Sequence, residues 1–203
     1  MARTVDPERH AARRLMIIDA AVTEFANAGY ERTTTAAICA RAGIGSGTFF
    51  HYFPTKSAAL LAILDLGTSE VIDWFAAREP DADPSTVIRA WAAHTADELR
   101  EPRLAGFVNA VGAVMGDPEV AAALERDDAA QRDGLRPLVA RARTAGLIRD
   151  DLVVERIVDW LLVLMDGFIS RMASDPSFTA DSEGPIYLDI VDRFLAASSA
   201  AER

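Results

Sequence analysis

The stretch TTTAAICARAGIGSGTFFHYF, residues 33–53, constrains this chain more than any other. Three glycines spaced two apart, Gly43, Gly45 and Gly47, follow an Ala-rich run and precede a run of aromatics. A dinucleotide or nucleotide-phosphate loop needs a strand leading into its glycines, or a Lys-Ser/Thr behind them, and neither is present. Two short helices meeting through a tight turn fit the pattern instead, one starting at Thr33–Thr35 and ending near Gly43, the other covering Ser46 to Tyr52. In that geometry Gly43 takes the positive φ that ends the first helix, and Gly45 caps the second. Gly47 removes a side chain where another molecule would come close. Ile44 is expected to be buried and to pin the turn to Ile38 and Leu15.

The flanks also read as helix. Asp6-Pro7-Glu8 is a start signal: an N-cap, a residue with preset φ, and an acid at the positive end. Leu15, Ile18, Val22 and Phe25 follow at helical spacing up to Gly29. Thr55, after Pro54, caps a long helix expected to reach about Arg78. Val87, Ile88, Trp91 and Leu99 stripe a helix over 84–100, beyond a loop marked by Pro80 and Pro84. Pro102, Pro118 and Pro137 punctuate the next stretches, and Gly146 closes a helix holding Leu138 and Val139. From about Val153 to Ala173 the character changes, because Ile157 to Ile169 is apolar nearly all round, interrupted mainly by Asp159 and Asp166. Such a helix is buried on two sides. One side would face its own core and the other a partner. Residues 174–185 read as a polar loop before a last helix with Ile186, Tyr187, Ile190, Val191, Phe194 and Leu195 on one face. No stretch alternates long enough to make a strand, so the fold class is all-α.

Charge separates the chain into two parts. Residues 1–56 hold seven Lys/Arg against five Asp/Glu, while the whole chain stands at −10. A small module that tolerates a polyanion is joined to a body that repels one. The lone cysteine, Cys39, excludes an internal disulfide and fits a reducing compartment. The N-terminus lacks the apolar stretch of a signal peptide, and the longest strongly apolar run, residues 160–165, is too short to span a bilayer. A cytoplasmic protein is expected.

Residues 12–64 resemble the DNA-binding domain of the tetracycline-repressor (TetR) family. Phe25, Gly29, Tyr30, Thr33, Thr34, Ile38, Ala42, Gly43, Gly47, Thr48, Phe49, Tyr52, Phe53, Lys56 and Leu60 match its pattern in order and spacing. The resemblance implies that 46–52 is a recognition helix in the major groove of double-stranded DNA, with Ser46, Thr48 and His51 toward bases or phosphates and Gly47 clearing the approach. Tyr52 would donate to a phosphate, Thr33 and Thr34 would cap the preceding helix and touch phosphate, and Lys56 would be the main phosphate anchor, supported by Arg41 and a basic arm from Arg3 to Arg14. Phe49 and Phe53 would pack inward. The chain departs from the family at Gly45, often Ser there, at Phe50, often Tyr, at Ala36 and Ala37, often polar, and at Cys39, often Ala.

The resemblance further implies domains at 1–56 and 57–203: an N-terminal three-helix, helix-turn-helix domain (the motif itself about 33–52) joined by a long helix to a larger helical ligand-binding and dimerisation domain. A homodimer would form through Ile157, Trp160, Leu161, Leu164, Phe168, Tyr187, Ile190, Val191 and Phe194. A small-molecule effector would meet Trp74, Trp91, His94, Asn109 and Met115, with Phe75, Phe107 and Phe168 as walls. Sparse charge along those helices favours an amphipathic or apolar effector. No cofactor is expected, and the three histidines show no metal-ligand spacing. The implied function is a non-enzymatic regulator, a repressor released from a palindromic operator. A regulator that activates or acts without a small-molecule ligand, an α-helical enzyme and a protein-interaction module remain as alternatives.

Overall fold

The computed structural model describes residues 7–197, so the N-cap expected at Asp6 and the start of the basic arm at Arg3 lie outside the described residues. All regular structure among these residues is helical: α1 (Pro7–Ala28), α2 (Thr35–Ala42), α3 (Ser46–Tyr52), α4 (Lys56–Ala76), α5 (Pro84–Glu98), α6 (Leu104–Gly112), α7 (Pro118–Thr144), α8 (Val154–Ser174) and α9 (Ala180–Leu195). Two compact units share these helices. The first comprises the chain up to Gly67 with Gly106–Leu124, and the second comprises Thr68–Ala105 with the chain from Glu125 onward.

In the first unit, α1 contributes Ile17, Ile18, Ala21 and Phe25 to a core completed by Ile38, Phe49, Phe53 and Leu60. The expected α1 stripe is corrected at one position. Leu15 is 49% exposed, because it stands roughly 200° round the helix from Ile17. Ile44 still packs half-buried against this core without it. The boundary expected at residue 56 is also revised. Ala59, Leu60 and Ala62 of α4 belong to this core, and Ala110, Val111 and Val120 from α6 and the start of α7 complete it. Short α2 and α3 cannot bury enough surface alone, so later helices supply the missing wall. Gly106 lets α6 approach α1: a Cβ there would stand 2.3 Å from the Ala26 carbonyl oxygen.

The second unit is built on Ile88, Trp91, Leu135, Val139, Ile148, Ile157, Leu161 and Leu195. Asp83 caps α5, its carboxylate accepting from the Thr86 N–H at 2.8 Å and from the Ser85 and Thr86 hydroxyls. Those bonds hold its carboxyl below the usual carboxylate range. Helix α9 packs on α5 and on α8. Two prolines expected as breaks sit inside helices, Pro137 in α7 and Pro185 in α9. Both are exposed, so water can satisfy the carbonyl each one leaves without a donor. The loop expected over 174–185 is correspondingly shorter, and Thr179 caps α9 by accepting from the Ser182 N–H.

Candidate nucleic-acid interface and ligand site

The turn between α2 and α3 is set by hydrogen bonding. Thr34 caps α2, its hydroxyl oxygen accepting from the Ala37 N–H at 3.1 Å. Gly43 adopts φ 62°, the left-handed conformation that costs glycine nothing. Its N–H donates to the Ala40 carbonyl at 3.3 Å, and the Ile44 N–H donates to Cys39 at 3.0 Å. This paired closure is a Schellman ending, and it turns the chain sharply into α3. Gly45, extended, caps α3 with no side-chain bond. Phe49 and Phe53 are buried, as expected, and fix the helix by its inner face. Ser46, Gly47, Phe50 and His51 are exposed, while Thr48 and Tyr52 are half-buried. Beyond its chain neighbours and its own helix backbone, no described residue comes within 4 Å of where a Gly47 side chain would begin, so none of them requires glycine there.

Three expected DNA contacts have internal work instead. The Lys56 ammonium donates to the carbonyls of Tyr30 at 2.7 Å, Thr33 at 3.1 Å and Glu31 at 3.4 Å. Three N–H groups meet three carbonyls, so the expected phosphate anchor is a clamp between the α1–α2 turn and the start of α4. Thr33 is buried, and its hydroxyl lies within hydrogen-bond reach of the Glu24 and Gly29 carbonyls, leaving Thr34 alone as the cap. Arg41 pairs with the Glu24 carboxylate, which ties α2 to α1 and compensates its charge. The sequence reading missed His10. Its ring lies 4.6 Å from that of Tyr52 and 6.1 Å from that of His51, so α1 buttresses the end of α3. Arg14 sits one turn on, over the Phe53 ring at 5.5 Å. The signal was that His10 and Arg14 stand seven and three residues before Ile17, on the inward side of α1. Cys39 is buried, in keeping with a small core residue.

The eight expected ligand residues fall into both units. Trp74, Phe75, Trp91, His94 and Phe168 belong to the second. There the His94 ring stacks on Trp74 at 5.4 Å, and the Trp91 indole N–H donates to Gln131 at 2.9 Å. Phe168 stacks on Tyr187 at 4.8 Å. Phe107, Asn109 and Met115 belong to the first unit, where Phe107 packs on the core, Asn109 is exposed and Met115 is 56% exposed. Met115, expected to meet the effector, is therefore a surface residue. The expected dimer set divides similarly. Ile157, Leu161, Phe168, Tyr187 and Val191 are buried within the unit's own core, whereas Trp160 and Ile190 are exposed and Leu164 and Phe194 are half-buried. Val163 and Ile186, absent from the expected set, are exposed beside them. The two-sided apolar character of α8 is thus real, but its outward side is Trp160 and Val163. Among the described residues, no group of three or more His, Cys, Asp and Glu is placed to hold a metal ion, and no helix is long and apolar enough to cross a membrane.

A Schellman-closed turn between two short helices, with a small-residue and aromatic face turned outward on the second, defines a helix-turn-helix DNA-binding protein. The profile described as "Bacterial regulatory proteins, tetR family" matches residues 17–63, the stretch that holds this helix-turn-helix. The chain is 26% identical over 179 residues to the HTH-type transcriptional repressor AcnR of Corynebacterium efficiens, spanning 88% of this chain and 90% of that protein. It is also 26% identical over 200 residues to the HTH-type transcriptional repressor Rv1474c of Mycobacterium tuberculosis, spanning 96% and 98%. In fold it resembles the transcriptional regulator FadR from Bacillus subtilis, solved with stearoyl-CoA, with a TM-score of 0.72 and 18% identity over 89% of this chain and 98% of that one. The protein is a DNA-binding transcriptional regulator.

Proposed function

We propose that the chain is a cytoplasmic homodimeric repressor that leaves a palindromic operator when a small amphipathic molecule binds its second unit. The outward face of α3 carries this reading: Ser46, Gly47, Phe50 and His51 are exposed while Phe49 and Phe53 hold the helix from behind. Ser46, Thr48 and His51 would reach base edges or phosphates. Phe50, exposed where a hydroxyl is common in the family, would contact a thymine methyl. With Lys56, Thr33 and Arg41 engaged internally, phosphate contact falls to Thr34, Tyr52 and the start of α1. Two copies joined through Trp160, Val163, Ile186 and Ile190 would present two recognition helices to half-sites about one helical turn apart, ~34 Å. Release requires an effector with different affinity for the DNA-bound and free arrangements. Names of relatives as repressors favour repression over activation.

Selection of bound sequences from a random duplex pool tests the reading. Enriched sequences should contain an inverted repeat, and Phe50→Ala should relax the preference for thymine at one position of each half-site. Enrichment without a repeat, or retention indifferent to sequence, would overturn it.

A further inference from the structure

The second unit gathers carboxylates from four helices without matching cations. Asp127 on α7 accepts from the Thr68 hydroxyl of α4 at 3.2 Å and is half-buried. Burial, with Asp128 nearby, pushes its carboxyl above the ordinary range. Glu98 on α5 is raised by burial and by Glu70 and Asp127, with only His94 opposing. Asp166 on α8 is raised by burial and by Asp128 and Asp127, with only Arg132 opposing. Both groups already have partners. Arg132 bridges Asp128 and Asp159, and His94 lies 3.3 Å from Glu98 while stacked on Trp74. The set is short of positive charge.

An independent feature points the same way. Tyr187 on α9 is 4% exposed, and its hydroxyl is buried with no hydrogen-bond partner among the described residues. Its ring lies flat against Phe168, two residues from Asp166, and the Asp166 charge adds to burial in resisting ionisation of the phenol. A buried hydroxyl left unpaired costs free energy unless something else pairs with it. Asp166 and Glu98 keep contact with solvent, so the carboxylates are reachable from outside.

We propose that this unit binds an amphipathic organic monocation bearing N–H donors, its charge placed between Asp127 and Asp166 and one N–H given to the Tyr187 oxygen. The aromatic pair of Phe168 and Tyr187 accepts its apolar part, and the neighbouring carboxylates repel an anion of the same shape. A metal ion is a poor alternative, because no three ligating side chains converge among the described residues. The proposal names the effector class for the repressor reading and rests on that reading only for the release of DNA.

The test uses three probes of one shape: 4-phenylbutylammonium, 4-phenylbutanol and 4-phenylbutanoate, titrated into the full chain by ligand-observed NMR. The ammonium should bind at least about tenfold more tightly than the alcohol, and the carboxylate least. Asp127→Asn and Asp166→Asn should each remove most of that preference. Tyr187→Phe should weaken the ammonium several-fold without lowering the melting temperature, because the hydroxyl has no internal partner to lose. Equal binding of the alcohol, tighter binding of the carboxylate, no binding of any probe, or a preference that survives both Asn substitutions together would each overturn the proposal. Retention on the selected duplex is followed in the same samples. Ammonium binding that leaves DNA bound would keep the cation site and sink the effector reading, whereas release by an uncharged molecule would do the reverse.

Discussion

The Lys56 ammonium lies 2.7 Å from the carbonyl oxygen of Tyr30 and 4.2 Å above the ring of that same residue. One cation thus ends a turn and covers an aromatic that itself stacks on buried Phe25 at 5.4 Å. Replacing Lys56 with Met keeps the stem and removes the charge, leaving the Tyr30 and Thr33 carbonyls without this donor. Hydrogen bonds from charged groups contribute about 1.5–3 kcal/mol, so Lys56→Met should lower stability in urea by that order. A phosphate anchor behaves differently: its loss reduces the salt slope of DNA binding by about one and spares stability. An unchanged urea midpoint with a flatter salt slope would restore Lys56 to the DNA.

Gly106 gives a sharper steric test. A Cβ would come within 2.3 Å of the Ala26 carbonyl oxygen and 2.9 Å of its carbon, both backbone atoms that cannot rotate away. Overpacking costs typically about 1–3 kcal/mol, and here α6 must move off α1 to relieve it. Gly106→Ala should therefore destabilise the chain in thermal melts, although alanine is the better helix former by about 1 kcal/mol. Gly112→Ala, with open space at its Cβ, should be neutral or stabilising. If both variants melt alike, the close approach of α6 to α1 is wrong.

Trp160 and Val163 face outward one turn apart on α8, 48% and 52% exposed. In the proposed homodimer this pair lies on the surface that the second copy covers. Trp160→Glu should shift sedimentation from dimer to monomer with helical content unchanged, and operator affinity should fall because the half-sites are then bound separately. Leu161, next along the chain, is fully buried, so Leu161→Ala should instead cost about 2–5 kcal/mol of stability. A Trp160→Glu protein that remains dimeric would move the interface elsewhere.

Periodicity and turn chemistry made much of this readable from residues alone. The Gly43 stop, the Thr55 and Thr34 caps and the inward Phe49 and Phe53 all follow from local rules, because each side chain acts on its own helix end or face. What stayed hidden depends on partners distant in the chain. Nothing local reveals that Lys56 would meet carbonyls 23 to 26 residues earlier, or that Ala110 and Val120 would complete the core begun by Ile17. In α8 and α9 an apolar pattern alone could not separate residues facing their own core from those facing outward. Tyr187 and Ile190, three apart, ended 4% and 43% exposed.

Asp166 allows the carboxylate cluster to be tested through stability alone. Burial first, then Asp128 and Asp127, raise its carboxyl above the ordinary 3.8, against the attraction of Arg132. A raised carboxyl means the folded chain holds the proton more tightly than the unfolded one. Its contribution is therefore fully present below the ordinary value and is lost as pH rises through the raised one. Asp166→Asn stays neutral at every pH. It should match the native chain in melting temperature near the acidic end and exceed it once the native carboxyl has ionised, with the gap levelling off beyond that point. Solvent contact at Asp166 screens the repulsion, so the gain should be modest. A lower melting temperature at neutral pH would show that the charge is paired and stabilising, and would remove the surplus on which a cation site depends. A higher one would mean the chain keeps a carboxylate that weakens its fold, the trade expected where a side chain is retained for a ligand.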